Sequence, residues 1–269
     1  MSALARWDAF LAQIEERHKA VRVEAEGSAR AFITQVATDG DYLPLSHQMM
    51  AINNRLRELE TKIIDTWHEK VDDAITGEGN STAERDRQYA KGQALKDALD
   101  DAREELEPRI FAELARQRWT NAQAQHGPAT CTSCHKQFAA PPAFRSYEMQ
   151  CPTCGQRTLV EPSELLRSAA AIGTHAVAQE ATNGEWRMMR VAERAMRGHR
   201  PPYPIESIKA FERAQIAYWF KYLGVRSQFE PELARDPAME VRSRMEQWYT
   251  MFAEHEQSWV AAGRPRERI

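Results

Sequence analysis

The sequence predicts a mainly α protein with a small β segment between two helical regions. Ala, Leu, Glu, Arg and Gln, which all favour helices, dominate the composition, whereas Gly and Pro number only 12 and 13 among 269 residues. Hydrophobic residues make up 42% of the chain and the net charge is only -3, which indicates a buried core rather than disorder. We predict a long antiparallel helical bundle or coiled-coil region over 1–127, a small β segment over 128–162 and a helical domain over 163–269.

The first two predicted helices share one pattern, in which apolar residues recur every three or four positions as on a heptad seam. The turn-type residues Asp39–Pro44 end the first helix. Ser46 is placed to cap the second helix, which continues the same stepping from Met49 to Trp67. The seam of the first helix consists of Leu4, Trp7, Leu11, Ile14, His18, Val21, Ala25, Ser28 and Phe32.

A third long helix is predicted after the turn at Thr76–Asn80. Ser81 and Glu84 have the spacing of a capping box, in which each side chain satisfies an amide at the start of a helix. Pro108 lies inside the helical pattern and predicts a kink or break near Glu107. Three long helices joined by short turns are expected to pack antiparallel.

The C-terminal region also reads as a series of helices. Ser163 is placed to cap a helix that reaches Ala181, and Thr182 could begin a second capping box. A further helix is expected from about Ile205 to Leu223, with Gly224 placed to end it.

The last helix is predicted after Pro231 and Pro237, and Gly263 is placed to stop it. Its apolar stripe again follows heptad spacing, which predicts one continuous helix with a packed face. The stripe consists of Val241, Met245, Trp248, Phe252, His255 and Trp259.

All four cysteines of the chain lie in the β segment, as two Cys-x-x-Cys pairs. Cys131 and Cys134 form the first pair, Cys151 and Cys154 form the second, and residues 135–150 separate them. This spacing is typical of zinc sites, because two intervening residues let one tight turn aim both sulfurs at a single ion. We therefore expect these four residues to bind one structural zinc ion. A catalytic zinc is not expected, since four cysteines leave no position for water.

The sequence Cys151-Pro-Thr-Cys-Gly155 resembles the second knuckle of the zinc-ribbon superfamily, and the resemblance covers residues 129–161 only. It implies two knuckles on β-hairpins and a bound metal, but no particular function. Phe138 and Tyr147 are expected to cover the metal site. His135 is expected on the surface, with the alternative that it replaces a ligand or donates to a thiolate. A pair of redox-active dithiols remains the alternative to zinc.

Four arginines lie on one face of a predicted helix, at Arg187, Arg190, Arg194 and Arg197. Such a stripe can bind the phosphates of nucleic acid or an acidic partner. The alternative is a solvated helix face whose arginines pair locally, for example with Glu193.

Several aromatic and aliphatic residues are candidates for a protein interface. The stretch Ile216–Tyr222 holds four rings in five residues, which cannot all face one side of a helix. The favoured interpretation is a core helix buried on two faces, and a second contact surface is the alternative. The candidate interface residues are Trp7, Leu11, Ile14, Trp219 and Trp248, which could instead pack within one chain.

These patterns favour a zinc-binding structural or adaptor protein that associates with a protein partner or with itself through helical surfaces. A nucleic-acid-binding protein that uses the zinc segment and the arginine stripe is the first alternative, although acidic residues outnumber basic ones over 1–127. An enzyme with a site in the C-terminal helices is the second, but no nucleophile elbow or Gly-rich phosphate loop supports it. No signal-peptide pattern and no run of about 20 apolar residues occurs, so we expect a cytoplasmic protein without a membrane association.

Overall fold

The computed structural model describes residues 1–37, 41–230 and 236–263, and it confirms a mainly α protein. Within those ranges, β structure is confined to two small two-stranded sheets around the cysteines. The chain divides into two units, Met1–Asn121 and Ala122–Ile269. The division differs from the predicted three parts, because the cysteine segment and the C-terminal helices share the second unit. The predicted turn at residues 39–40 and Pro231 lie outside the described residues.

The first unit is built from long helices that pack through apolar faces. The seam predicted for the first helix is buried from Trp7 to Ala25. Its last two members are wrong by one residue, because Ala29 and Ile33 are buried there while Ser28 is exposed. Ser2 caps this helix by accepting a hydrogen bond from the amide of Ala5. The elements are α1 (Ala3–Val36), α2 (Leu43–Thr66), a π-helical turn (Trp67–Val71), α3 (Asp72–Gly77), α4 (Thr82–Glu104) and α5 (Leu106–Ala124).

A π-helical turn after α2 keeps one row of side chains on the buried face. Ile63, Trp67, Val71 and Ile75 are all buried and recur at intervals of four residues. An α-helix has 3.6 residues per turn, so each four-residue step drifts by about 40° around the axis. The wider π turn absorbs this drift and returns the row to the core. The heptad pattern predicted Ile63 and Trp67 but neither the continuation of the row to Val71 and Ile75 nor the change of helix type.

Two helix boundaries in the first unit bear on the predictions. The break expected near Glu107 lies at Glu105, between α4 and α5, so Pro108 sits in the first turn of α5, where its missing amide costs little. The cap predicted at Ser46 is wrong, because α2 already begins at Leu43 and uses Pro44 in its first turn. Ser81 does accept a hydrogen bond from the amide of Glu84, as predicted.

A buried polar network joins three helices of the first unit. Glu60 of α2 is 3% exposed and accepts hydrogen bonds from Arg103 of α4, at 2.9 and 3.2 Å. His18 of α1 is fully buried, with its Nε2 atom 3.3 Å from Glu60. Arg103 also pairs with Asp100 and Glu104. Burial by itself lowers the pKa of Arg103, but the three carboxylates outweigh it and raise that pKa.

Gly92 of α4 allows a close approach by Trp7, and its replacement by Ala is expected to destabilise the first unit. A Cβ atom at residue 92 would lie 2.6 Å from Cζ2 of Trp7, whose ring is almost fully buried. Displacing that ring should cost about 1–3 kcal/mol, which exceeds the helix-propensity gain of about 1 kcal/mol. Urea denaturation should show the loss. Gly27→Ala in α1 is the matched control, because nothing lies within 4 Å there and only the propensity gain is expected.

The helices of the second unit are α6 (Glu164–Ala181), α7 (Asn183–Arg197), α8 (Ile205–Arg226), α9 (Pro237–Met251) and α10 (Ala253–Ala261). Helix α8 packs against α6, α7 and α9, and its Tyr218, Tyr222 and Leu223 are buried in the shared core. The cap predicted at Ser163 is confirmed by its hydrogen bond from the amide of Leu166. No helix among the described residues has the length and apolar character needed to cross a membrane.

The boundary predicted between α6 and α7 is correct, since α6 ends at Ala181 and α7 begins at Asn183, but three other details predicted for the helices of the second unit are wrong. Gly224 does not end α8, which continues to Arg226. Thr182 forms no capping box, because its hydroxyl donates back to the carbonyl of Ala178 at 2.7 Å. The last predicted helix is interrupted at Phe252, where φ -125° and ψ 74° separate α9 from α10.

His255 is expected to make the second unit less stable in acid. Its side chain is buried, Nδ1–H donates to the carbonyl of Phe252 at 3.1 Å, and Nε2 has no partner among the described residues. Burial, with a smaller effect of Arg197, lowers the pKa of His255. The unfolded state therefore binds the extra proton first, and stability should fall as pH drops below about 6.5. Thermal midpoints at pH 7.5 and 5 should show a smaller difference for His255→Gln than for the unchanged protein.

Candidate metal centre

Two short β-hairpins carry the four cysteines. Strand β1 (Ala129–Thr130) pairs antiparallel with β2 (Gln137–Phe138), and β3 (Tyr147–Gln150) pairs antiparallel with β4 (Arg157–Val160). Each Cys-x-x-Cys pair lies at the turn of one hairpin. The two turns are therefore equivalent knuckles, one on each hairpin.

The two knuckles have the same backbone hydrogen bonds. In the first, the amide of Cys131 donates to the carbonyl of Lys136 and the amide of His135 donates to that of Cys131, both at 3.0 Å. In the second, Cys151 and Gly155 occupy the corresponding positions, with both bonds at 2.9 Å. The same turn thus presents the two sulfurs of each pair toward the same region.

The residue after each second cysteine has a left-handed backbone. Gly155 has φ 71° and His135 has φ 57°. Only glycine adopts this conformation without strain, so His135 occupies a position that favours glycine. The His135 side chain is exposed, as predicted, and it is not part of the four-residue cluster that could bind a metal. The feature that distinguishes residue 135 is therefore its backbone conformation and not its side chain.

The four sulfurs are spaced as the ligands of one ion. Cys131 and Cys154 have their Sγ atoms 3.6 Å apart, Cys134 and Cys151 have theirs 3.7 Å apart, and all four lie within 4.8 Å of one another. Bonds of about 2.3 Å to a central tetrahedral ion place sulfurs about 3.8 Å apart, whereas a disulfide requires about 2.05 Å. The close pairs join one knuckle to the other, so the four cysteines form a single cluster that could hold a metal ion.

Backbone amides favour thiolates at the first cysteine of each knuckle. The amides of Cys134 and Ser133 lower the pKa of Cys131 to about 6, despite burial. The amide of Cys154 has the largest effect on Cys151 and lowers the pKa of that thiol as well.

The pKa of Cys154 is raised, in contrast to those of Cys131 and Cys151. The Gln156 amide lowers its pKa, but burial and the other three sulfurs together raise it to about 12. A cation is what allows a fourth thiolate to form beside the others.

A small apolar core surrounds the cluster and fits a metal-thiolate centre. Phe138 and Val160 are buried with Cys131 and Cys151, and Tyr147 packs against them, so both rings lie where the sequence predicted. The hydroxyl of Thr158 is buried without a nitrogen or oxygen partner among the described residues, and it lowers the pKa of Cys131. A hydroxyl donor facing sulfur is suited to stabilising a bound thiolate.

The predicted arginine stripe lies on α7 and has local acidic partners. Glu193 accepts from Arg190 at 3.3 Å and from Arg197 at 2.9 Å. Arg190 also lies over the ring of Trp186, and Arg197 over that of Phe252. Arg187 and Arg194 belong to the same helix. For Arg190 and Arg197 these contacts agree with the alternative of local pairing, while anion binding by the stripe stays a prediction.

The proposed interface residues are divided between two environments. Trp7, Leu11 and Ile14 are buried within the first unit, which agrees with the alternative that they pack within one chain. The physical reason is that α2 and α4 cover this seam, and the Trp7 indole donates to the carbonyl of Gln88 at 3.2 Å. Trp219 and Trp248 are partly buried against the core of the second unit. Within the stretch Ile216–Tyr222, Tyr218 and Tyr222 are buried and Phe220 is exposed, so the core packing is confined to part of the helix surface.

The fold and the site together define a mainly α protein with a four-cysteine centre that could hold a metal ion. No protein-family model, curated protein or solved structure was found to match this chain.

The two left-handed positions give a matched pair of test substitutions. Gly155→Ala introduces strain of about 1–2 kcal/mol into the second knuckle, and His135→Gly relieves a similar strain in the first. We expect metal affinity to fall by about five- to thirtyfold in the first variant and to rise in the second, because the folded hairpins bind the metal. Competition with a chromogenic chelator measures both affinities. Equal affinities in all three proteins would contradict the role assigned to these turns.

Proposed function

We propose that this protein is a zinc-binding structural or adaptor protein, in which one zinc ion stabilises the cysteine segment (residues 129–160) beside a set of helices. The observation that carries the proposal is the arrangement of the four sulfurs, with 3.6 and 3.7 Å between the close pairs. A zinc-ribbon relationship is part of this proposal, supported by the knuckle on each hairpin.

The donor set favours zinc. Four thiolates in a tetrahedral arrangement suit zinc or an iron–sulfur centre, whereas calcium and magnesium require oxygen ligands. A single ion that needs no redox partner is the simplest occupant of one cluster with 3.6–3.7 Å sulfur spacing. Four cysteine ligands complete the coordination of zinc, so the ion has a structural and not a hydrolytic role.

The strands themselves support a structural role for the ion. β1 and β2 contain two residues each, and β3 and β4 contain four. Two-stranded hairpins of this size are at best marginally stable in water. A metal that joins the two knuckles supplies the missing stabilisation.

The adaptor role is supported by apolar side chains that remain on the helical surface. Met188 and Val191 of α7 are 58% and 63% exposed, and they lie three residues apart on one face of that helix. Exposed apolar residues that share a face are typical of protein-binding surfaces. A protein partner, or a second copy of the chain, is therefore the class of ligand we propose.

Elemental analysis of protein purified without added metal tests the zinc centre. We expect about one zinc per chain and thiols that react with a disulfide reagent only after chelation. Less than about half an equivalent of any metal, with four freely reactive thiols, would refute the centre. About one equivalent of iron would refute zinc while leaving the metal site in place.

The adaptor role requires a separate test. Crosslinking and affinity purification with the zinc-loaded protein should recover a protein partner or a self-associated species, and Val191→Asp should reduce that recovery. Val23→Asp is the matched control, because Val23 of α1 is also 63% exposed. Recovery that is insensitive to Val191→Asp would exclude the α7 surface.

A further inference from the structure

The loop between β2 and β3 extends from the two hairpins and contacts the turn that follows Arg226, the last residue of α8. The ring of Phe144 lies 4.8 Å from that of Phe229, measured between centroids. Beside it, Arg145 lies 3.9 Å from Glu230. The Arg145 side chain is 53% exposed, so this ion pair is weak and the aromatic contact dominates.

Two hydrogen bonds fix the path of this loop, which spans residues 139–146. The Nε2–H group of His126 donates to the carbonyl of Ala140, and the hydroxyl of Tyr147 donates to the carbonyl of Pro141, both at 2.6 Å. Tyr147 belongs to β3 and packs on the cysteine core. Tyr147 thus ties the loop that carries Phe144 to the second hairpin.

The residues after α8 that contact the loop are linked through side-chain bonds to the core of the second unit. Glu230 pairs with Arg226, the last residue of α8, at 2.7 Å. Arg226 also hydrogen-bonds to Tyr222, which is 1% exposed and bonded to His175 of α6. Residues 226–230 form a turn in which the amides of Phe229 and Glu230 both donate to the Arg226 carbonyl. The loop thus lies against the turn that ends α8.

We propose that metal binding at the four cysteines keeps residues 222–230, the end of α8 and the turn after it, folded. The coupling acts through the contact of Phe144 with Phe229. The inference rests on the proposed metal centre. Without the metal, hairpins of two- and four-residue strands lose their main constraint, and the 139–146 loop is released with them. The end of α8 then loses its aromatic cover, while the rest of α8 stays packed against α6, α7 and α9.

Hydrogen exchange measured by mass spectrometry on the full chain tests the coupling. Zinc-loaded protein is compared with the same protein treated with a chelator, and metal loss is verified by thiol titration. We expect amides of residues 222–230 to exchange roughly tenfold faster or more after chelation, because local opening there becomes easier. Amides of α4, in the first unit, serve as the internal reference and should not change.

A double variant removes the contact between Phe144 and Phe229 while the metal stays bound. Phe144→Ala with Arg145→Ala should retain its zinc, yet residues 222–230 should already exchange at the chelated rate and respond no further to chelation. Arg157→Ala is the control, because Arg157 pairs with Glu148 inside the second hairpin, 3.3 Å away. It should keep the chelation response of the unchanged protein.

Two results would overturn the inference, and they differ in what they say of the proposed function. Chelation that frees all four thiols but leaves exchange of residues 222–230 unchanged would exclude the coupling and retain the metal centre. A purified chain that holds no metal and binds none on titration would refute the metal centre and the coupling together.

Discussion

Cys151→Ser is expected to abolish tight metal binding and unfold the cysteine segment, while the helices remain folded. Cys151 is 2% exposed and its Sγ lies 3.7 Å from that of Cys134, so it is central to the cluster. A structural zinc site contributes about 10–16 kcal/mol of apparent binding free energy, which the folded hairpins require. A serine hydroxyl is a poor substitute for thiolate, so three ligands should hold the ion weakly. Metal content after gel filtration against a chelator should fall from about one equivalent to near zero.

Ser133→Ala provides the matched control for this substitution. Ser133 lies within the first knuckle and is exposed, and what it contributes to Cys131 is its backbone amide, which alanine retains. The control should keep its zinc and its protection from proteolysis across residues 129–160. A Cys151→Ser protein that retains a full equivalent of zinc against the chelator would show that the four cysteines do not share one ion.

The cysteine cluster could be predicted because its information is local. Two Cys-x-x-Cys pairs fix four ligands within two short turns, and the structure brings all four sulfurs together. The left-handed conformation at His135 was missed, although it follows from equivalence of the two knuckles. The position corresponds to Gly155, so alignment of one knuckle on the other would have indicated it.

The helix boundaries were harder to predict, because several residues compete for each end. Ser46 and Thr182 have good capping side chains, yet Pro44 starts α2 earlier and Thr182 bonds back to Ala178. The apolar stripe across α9 and α10 is regular in sequence, and packing still interrupts the helix at Phe252. Heptad spacing reports which side chains become buried but not whether the backbone stays helical between them.

The sequence pattern could not predict which residues cover each buried face. The spacing placed Trp7 on a seam but could not say whether the seam is covered by this chain or by another one, and the structure shows that this chain covers it. For the same reason, the sequence did not predict the network of His18, Glu60 and Arg103. Glu60 lies next to the seam residue Leu59 and resembles a surface residue in sequence. Charged residues become recognisable as a buried group only when three helices bring them together.

Glu60→Ala is expected to destabilise the first unit by about 3 kcal/mol, at the lower end of the range for breaking a buried ion pair. The substitution leaves Arg103 buried without its main carboxylate and removes the group facing His18. Asp100 and Glu104 still pair with Arg103, which limits the loss. Urea denaturation followed by circular dichroism measures the change. Glu58→Ala is the control on the same helix, because Glu58 is exposed and should change stability by less than about 0.5 kcal/mol.

A double replacement identifies the origin of that loss. If the cost of Glu60→Ala arises from an uncompensated charge, replacing both Glu60 by Leu and Arg103 by Met should restore most of the stability, since apolar pairs of similar volume often match buried ion pairs. If the cost arises from lost packing volume, Glu60→Leu alone should already be close to the unchanged protein. A single Glu60→Leu variant as stable as the double variant would therefore contradict the electrostatic explanation. The expected order of stability is Glu60→Ala lowest, Glu60→Leu only slightly higher, and the double replacement close to the unchanged protein, because only the last removes the buried guanidinium together with the buried carboxylate that faces it.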